Sequence, residues 1–524
     1  MNTTFHSTRS SSEKWTSRQA IRQGLAGDGG LFVTDDLGKQ QIDVAALVGK
    51  SYQDMARTVL GVLLPDFSTS ELDECVRAAY GSQWLDSAIT PLKPLGDDYI
   101  LELFNGPTSA FKDVALQILP QFMARTTSTI ASCESSKSVL GDKPATADAD
   151  DKNVRHATTP ADGKVMVLTA TSGDTGKAAL AGFAGTPGTG ITVFYPEGKV
   201  SEIQRLQMTT QTGSNVNVCA VKGNFDDAQT AVKRIFGDRD LAAKLEKSNH
   251  VSLSSANSIN VGRLVPQVVY YFSAYAQLVE LGAIKVGDQV EFVVPTGNFG
   301  DILAGYYAKK LGLPVGRLTV ASDRNNVLFD FLTTGTYNRK RPFYETTSPS
   351  MDILVSSNLE RMLYYMSDGD TKLIRGLMDD LQNKGSFTIS DSLLARIRGL
   401  FSCGWADENQ VSLAITDCWN ANHYVIDPHT ACGYHVLSQM PREATMPRVL
   451  LSTASPYKFP RVVGKALGLD TTGTDFDCMD RLSEVTGTTA PANLRGLEHT
   501  TERFTDVISI EEMSNYVRNA SQKL

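Results

Sequence analysis

From Lys164 onward the chain alternates between two textures. Short β-branched runs (KVMVLTA, ITVFYP, VNVCAV, VSLSSA, VEFVVP and RLTVAS) are separated by amphipathic stretches such as GKAALAGFAG, EIQRLQMTTQTG, FDDAQTAVKRIFGD and GDILAGYYAKKLGL. A further run, RVLLSTA, follows near residue 450. Strands alternating with helices predict α/β layers built on open, mostly parallel sheets. Ligands in such folds gather at the carboxyl ends of the strands, so the polar loops after these runs are where chemistry is expected.

The flanking pattern differs. Residues 1–95 read as a mainly helical region. SRQAIRQGLAGDGGLFV is a helix closed by glycines and followed by a short apolar run. QIDVAALVGKSYQDMARTVLGVLL and TSELDECVRAAYGS keep helical spacing, with Thr69 or Ser70 as N-cap. The catalytic core is expected over 96–460, with two interruptions. Residues 127–163 are rich in Ser, Thr, Ala and Asp without apolar periodicity and read as a polar surface insertion, in which His156 is exposed and carries no role. Residues 325–429, including NLERMLYYM, DGDTKLIRGLMDDLQN and DSLLARIRGLF, read as a helical insertion. Residues 461–524 form a polar C-terminal tail. LVPQVVYYFSAYAQLVELGAI is interrupted by Pro266, Gln267, Gln277 and Glu280, which predicts a buried helix and not a membrane span.

Composition narrows the function classes. With 524 residues, 41% hydrophobic and 21% charged, the chain has the make-up of a globular protein of more than one domain. A net charge of −8 argues against nucleic acid or an anionic membrane as partner. The seven cysteines are scattered without any C-x-x-C pair, which excludes a zinc ribbon or a disulfide framework and fits a reducing cytoplasm. The polar start MNTTFHSTRSSSEKW has no apolar signal core. No metal site is expected. Monomer and homodimer are both compatible with the sequence.

Candidate chemistry centres on Asn105-Gly-Pro-Thr-Ser-Ala-Phe-Lys112-Asp113. The apolar strand YILELF precedes it and the helical VALQILPQF follows. The positive end of a helix is a poor place for a spare cation. An amine partly desolvated at such a joint has a lowered pKa and becomes a nucleophile toward an aldehyde. Directly after VEFVVP, Thr296-Gly-Asn-Phe-Gly300-Asp301 opens a helix, and two glycines with successive N–H groups make an anion nest. Asp301 is expected to cap that helix or face away, because a carboxylate pointing inward repels phosphate. Thr171-Ser-Gly-Asp-Thr175-Gly176 offers hydroxyls and backbone donors for a second anion, and Asn257-Ser-Ile-Asn260 leads to Arg263, a natural bidentate partner for phosphate. Taken singly, each also reads as an ordinary cap, turn or surface arginine. The last strand ends in Ser452-Thr453-Ala-Ser455, whose hydroxyls can bond a ring nitrogen without protonating it. His429, in DPHTACG, reads equally as an acid/base or as a histidine held structurally by its neighbouring aspartate.

Together, FNGPTSAFKD, TATSGDTG, YPEGKVSEIQRLQM, SSANSINVGRL, PTGNFGDILAG, SPSMDILVSSNLER, DPHTACG and LSTASPYKF closely resemble the threonine synthase family, in order, from FHSTR to the tail and leaving out 127–163. The resemblance implies a pyridoxal 5'-phosphate (PLP) enzyme of the tryptophan-synthase-β-like fold, fold type II. It implies that Lys112 holds PLP as an internal aldimine and later shuttles protons. Gly297, Asn298, Phe299 and Gly300 would cradle the PLP phosphate, Thr453 would meet the pyridine nitrogen, and Asp174 would lie near the ring's 3-oxygen, where relatives often carry Asn. Ser172, Thr175, Asn257, Ser258 and Arg263 would bind the carboxylate and phosphate of O-phospho-L-homoserine. The implied reaction is loss of phosphate from Cγ and addition of water at Cβ, giving L-threonine.

Two positions depart from the family pattern: Asn105 and Ser455 stand where many relatives have histidine, and both are expected close to the cofactor. Alternative readings on the same scaffold are a phospho-lyase or threonine dehydratase that releases 2-oxobutanoate, and a catalytically silent binding protein. Retention of Lys112 weighs against the last.

Overall fold

The computed structural model describes residues 4–126, 163–443 and 446–524. Two parallel sheets dominate it. In the larger, six strands run in the order Phe401–Trp405, Val315–Ser322, Val290–Pro295, Arg448–Ser452, Asp98–Glu102, Leu92–Leu95, and only the last pairing is antiparallel. In the smaller, five parallel strands run Val507–Ser509, Val216–Lys222, Thr189–Pro196, Lys164–Ala170, Val251–Ser255. Parallel strands need both faces covered. Accordingly every residue of Val290–Pro295 and of Arg448–Ser452 is buried.

Strand order decides where the polar loops meet. Val290–Pro295 lies beside Arg448–Ser452, which lies beside Asp98–Glu102. The chain leaving their carboxyl ends supplies, in turn, Gly297–Gly300, Thr453 and Lys112. In the smaller sheet, Lys164–Ala170 is adjacent to Val251–Ser255, so the loop holding Ser172–Thr175 faces the loop holding Asn257 and Ser258. The two sheets turn these loop clusters toward one cleft.

The elements differ from the sequence pattern in several places. The N-terminal region carries its helices Ser17–Gln23, Tyr52–Leu63 and Thr69–Ala79, but also an antiparallel sheet of Ser10–Trp15, Phe5–Ser7 and Phe32–Thr34. Strands of three residues paired across the chain leave little periodicity to read. The cap of Thr69–Ala79 is Ser68, not Thr69 or Ser70. It forms a reciprocal box with Glu71. The stretch read as a helical insertion, 325–429, contains the strand Phe401–Trp405, which joins the large sheet. It also contains the small hairpin Thr336–Asn338 with Ser386–Thr388. The polar tail is structured: Asp475–Thr486 and Met513–Ser521 are helices, and Val507–Ser509 completes the smaller sheet. The polar stretch 127–162, with His156, lies outside the described residues. Val268–Glu280 is a buried helix as expected. Among the described residues, no helix is long and apolar enough to cross a membrane, and no group of side chains is arranged to hold a metal ion.

Candidate active site

Lys112 is the first residue of the helix Lys112–Leu116. The loop before it is drawn closed by Asp113, whose carboxyl group accepts from the Thr108 N–H at 2.8 Å and the Thr108 hydroxyl at 2.7 Å. Two backbone bonds tie this loop to the chain leaving Arg448–Ser452. Phe111 donates to the Thr453 carbonyl at 2.8 Å, and Ser455 donates to the Ser109 carbonyl at 3.1 Å. Ser109 takes a left-handed φ of +58° to make this path, a conformation held by the bonds around it. The lysine is thereby fixed from both sides and buried. Burial lowers its pKa to about 8; Asp174 opposes that shift, while Lys458 and Arg263 add to it. The neutral, nucleophilic amine is accessible near neutral pH.

Asp174 is the electrostatic centre. Its Oδ2 accepts from the Ser350 hydroxyl at 3.1 Å and faces the Lys112 Nζ at 3.4 Å. Its Oδ1 accepts from Gln204 Nε2 at 2.9 Å and from Lys458 Nζ at 2.5 Å. Burial alone raises a carboxyl pKa, but Lys458 and Lys112 outweigh it and hold Asp174 well below the usual range. Gln204 approaches over Gly173, where φ is +135° and an added Cβ would sit 2.4 Å from the Gln204 side chain. A glycine is required there. Ser201 caps the helix Glu202–Thr209 in a box with Gln204, so the amide that reaches Asp174 is also braced at its own helix start.

The loop after Val290–Pro295 turns its carbonyls away from the cleft. Gly297 O accepts from the Ser356 hydroxyl at 2.8 Å, and Asn298 O accepts from the Asn358 N–H at 3.0 Å. Phe299 sits at φ +61° at the head of the helix Gly300–Lys310, whose opening N–H groups have no intrahelical acceptor. These are the donors an anion needs. Asp301 does not cap the helix. One of its oxygens turns to the Tyr270 and Tyr271 hydroxyls at 2.5 and 3.1 Å, and the other has no partner. Burial raises its pKa to about 6 against those two hydrogen bonds.

Across the cleft, Arg263 is buried at the start of the chain's apolar helical run. It donates to the Ala256 carbonyl at 2.9 Å and reaches the Thr175 hydroxyl at 3.5 Å, while its Nε finds no partner. Burial lowers its pKa to about 10. Asn257 beside it has a buried side-chain oxygen without a partner. A buried guanidinium without a carboxylate is a site prepared for an anion.

All the sequence candidates meet on this cleft: Lys112, Ser172, Asp174, Thr175, Asn257, Ser258, Arg263, Gly297, Asn298, Phe299, Gly300 and Thr453 line it. The two departures do not. Asn105 turns to Glu102 at 3.3 Å, and Ser455 caps the short turn Pro456–Lys458, so neither side chain lines the cleft. His429 does reach the wall, but both ring nitrogens are engaged, Nδ1 with Asp427 at 2.7 Å and Nε2 with the Ser350 N–H at 3.1 Å. It is built to hold Ser350 in place. Ser350, Gln204 and Lys458 carry no local sequence signal for a role at Asp174, because their partner lies far away along the chain. Arg361, wholly buried, braces the Asn257–Asn260 loop by donating to the Ile259 carbonyl at 2.7 Å and ties it to Phe32 of the N-terminal sheet at 3.0 Å.

This assembly matches known proteins along its whole length. Residues 4–80 match the family Threonine synthase N terminus, 99–451 match Pyridoxal-phosphate dependent enzyme, and 430–517 match Threonine synthase, C-terminal. Threonine synthase of Saccharomyces cerevisiae is 36% identical over 495 residues, covering 88% of this chain and 89% of that one. The chain belongs to the threonine synthase family. Human threonine synthase-like 1 is 38% identical over 460 residues, covering 86% of this chain, and the chain spans 58% of that relative's length. The X-ray structure of PLP-bound threonine synthase from Brucella melitensis shares the fold with a TM-score of 0.82 at 36% identity, covering 99% of this chain and 100% of that one. The fold is therefore that of the threonine synthases, a PLP fold type II, and PLP is the cofactor of the family. The cleft fits that group. A buried amine of lowered pKa suits its aldehyde, a helix start with outward-bonded carbonyls suits its phosphate, and Thr453 brings a hydroxyl to the same cleft.

Proposed function

We propose that the protein is a threonine synthase, converting O-phospho-L-homoserine and water to L-threonine and inorganic phosphate. The observation that carries this reading is Arg263, buried without a carboxylate partner among the described residues and lining the same cleft as the Lys112 amine. A dehydratase acting on threonine itself has no phosphate to place there.

When bound, PLP supplies the electron sink for the carbanions of the reaction. The rest falls to the chain. Lys112 would hold the cofactor's aldehyde, and its amine would carry protons between the substrate's carbons. Ser350 and Asp174, each in contact with that amine, set its direction. The N–H groups of Gly297–Gly300 would hold the cofactor phosphate, and the Thr453 hydroxyl would serve the ring nitrogen without protonating it. Asp174 would serve the ring's 3-oxygen. Ser172, Thr175, Asn257, Ser258 and Arg263 hold the substrate's carboxylate and phosphate. Phosphate leaves Cγ with its bridging oxygen, and water adds at Cβ. His429 is committed to Asp427 and Ser350, and the departing phosphate is itself at hand to assist the water. Homoserine leaves the anion donors unpaired and is disfavoured. The net charge and the scattered cysteines fit a cytoplasmic enzyme acting on a small molecule, with no nucleic acid or membrane partner.

The test is a product assay on O-phospho-L-homoserine. Threonine and phosphate in equal amounts support the reading. Predominant 2-oxobutanoate assigns the chain to the phospho-lyases instead.

A further inference from the structure

Lys458 is among the most deeply buried cations of the protein, with no solvent exposure, yet it does not line the cleft. It is delivered from behind by the turn Pro456–Lys458. Ser455 caps this turn by accepting from the Tyr457 N–H at 3.3 Å, and the Lys458 N–H closes it onto the Ser455 carbonyl at 3.1 Å. Among the described residues its ammonium has one acceptor, Asp174 Oδ1, at 2.5 Å. Burying an ammonium is costly unless it is paired, so a lysine aimed at one carboxylate from behind the site wall needs a reason.

The charges around Asp174 supply it. Lys112 stands on the other oxygen, Gln204 and Ser350 are neutral donors, and Arg263 and Asp301 also act on Lys112. His429 adds to the field on Asp174, and Asp113 lies within reach of Lys458. With Lys112 alone as counterion, Asp174 would act on that nitrogen as a bare anion and strengthen its hold on a proton. With Lys458 on Oδ1, the carboxylate is already neutralised from behind.

We propose that Lys458 is a positioning residue of the reaction: by pairing with Asp174 outside the cleft it offsets that carboxylate's charge, so that Asp174 meets Lys112 and the cofactor as a hydrogen-bonding group and not as a free anion. The inference rests on Lys112 being the cofactor lysine.

The test is a pH titration of the visible absorbance of the cofactor-loaded protein, for wild type, Lys458→Met and the double variant Asp174→Asn/Lys458→Met. An opposite charge within a few ångströms moves a titration by roughly one to three units. In Lys458→Met the midpoint is therefore expected to rise by about one unit or more, with a fall in kcat and little change in KM. The double variant is expected to return the midpoint toward the wild-type value. If Lys458→Met does not fold, a folded, cofactor-binding double variant still supports the pairing, because removing both charges leaves neither buried alone. A folded Lys458→Met that titrates as wild type overturns the proposal, as does a double variant that is no better than the single one. A wild-type protein with no visible band fails the reading of Lys112 instead.

Discussion

Ser350 stands 3.2 Å from the Lys112 amine, and the same hydroxyl donates to Asp174 at 3.1 Å. One side chain thus sets the angle between the proton carrier and the carboxylate beside it. Its backbone is fixed by His429, which is fixed in turn by Asp427. Ser350→Ala removes a hydrogen bond to charged groups, worth about 1.5–3 kcal/mol. Turnover is expected to fall by roughly 10- to 100-fold at saturating substrate, with the protein still folded and still coloured by its cofactor. Steady-state kinetics beside an absorbance spectrum checks both.

Lys112→Ala removes the group that holds the cofactor aldehyde. The variant is expected to keep its far-ultraviolet circular dichroism, lose the visible band, and lose turnover by about 10⁴-fold or more. A coloured, active Lys112→Ala protein would place the chemistry elsewhere.

The pH dependence follows from the same amine. Burial lowers Lys112 from 10.5 to about 8, so the cofactor-free protein holds fewer protons than the unfolded chain between those values. Stability from this group therefore rises with pH across that window, and its burial cost is fully present below about 8. Thermal melts of the cofactor-free protein are expected to lose this contribution to the pH slope in Lys112→Met. Capture of added PLP, followed by absorbance, is expected to accelerate with pH up to about 8 and then level off.

Arg263→Lys keeps the charge and loses the planar fork. KM for O-phospho-L-homoserine is expected to rise by roughly 10- to 100-fold, and the preference over homoserine to fall by a similar factor. Competition kinetics with the two substrates measures this.

Gly297→Ala places a Cβ 3.0 Å from the Ser350 carbonyl oxygen and 3.1 Å from the Met351 Cα, where only backbone can give way. The helix start and the Ser350 loop must separate. Cofactor affinity is expected to drop about tenfold or more, with a stability cost of about 1–3 kcal/mol. Equilibrium dialysis and a denaturant titration report the two effects.

What the sequence reveals and conceals divides along the reach of the interactions. Lys112, Gly297–Gly300, Ser172–Thr175 and Asn257–Arg263 stand in loops whose glycines, caps and flanking strands are all local, and each was legible as a site candidate. The strands of both sheets were legible for the same reason, being apolar runs between amphipathic helices. The charge pair of Asp174 with Lys458 joins residues 284 positions apart, and the brace from Arg361 to Phe32 joins residues 329 apart. No window of sequence contains either. Phe401–Trp405 is hidden because it follows a long helical stretch and only its partner in the sheet makes it a strand. The tail did carry a local signal: Thr474 and Asp477 form a capping box at the start of Asp475–Thr486. Asn105 shows the opposite failure, since closeness in sequence to Lys112 does not bring it to the cleft.

In the proposed reaction phosphate leaves by cleavage of its bond to carbon, and the new hydroxyl comes from water. Turnover of O-phospho-L-homoserine in oxygen-18 water, followed by mass spectrometry of both products, tests it most directly. Threonine carrying one heavy oxygen at Cβ and phosphate released without label are the expected products. Homoserine as product with the heavy oxygen in phosphate, the signature of cleavage between phosphorus and oxygen, would contradict it.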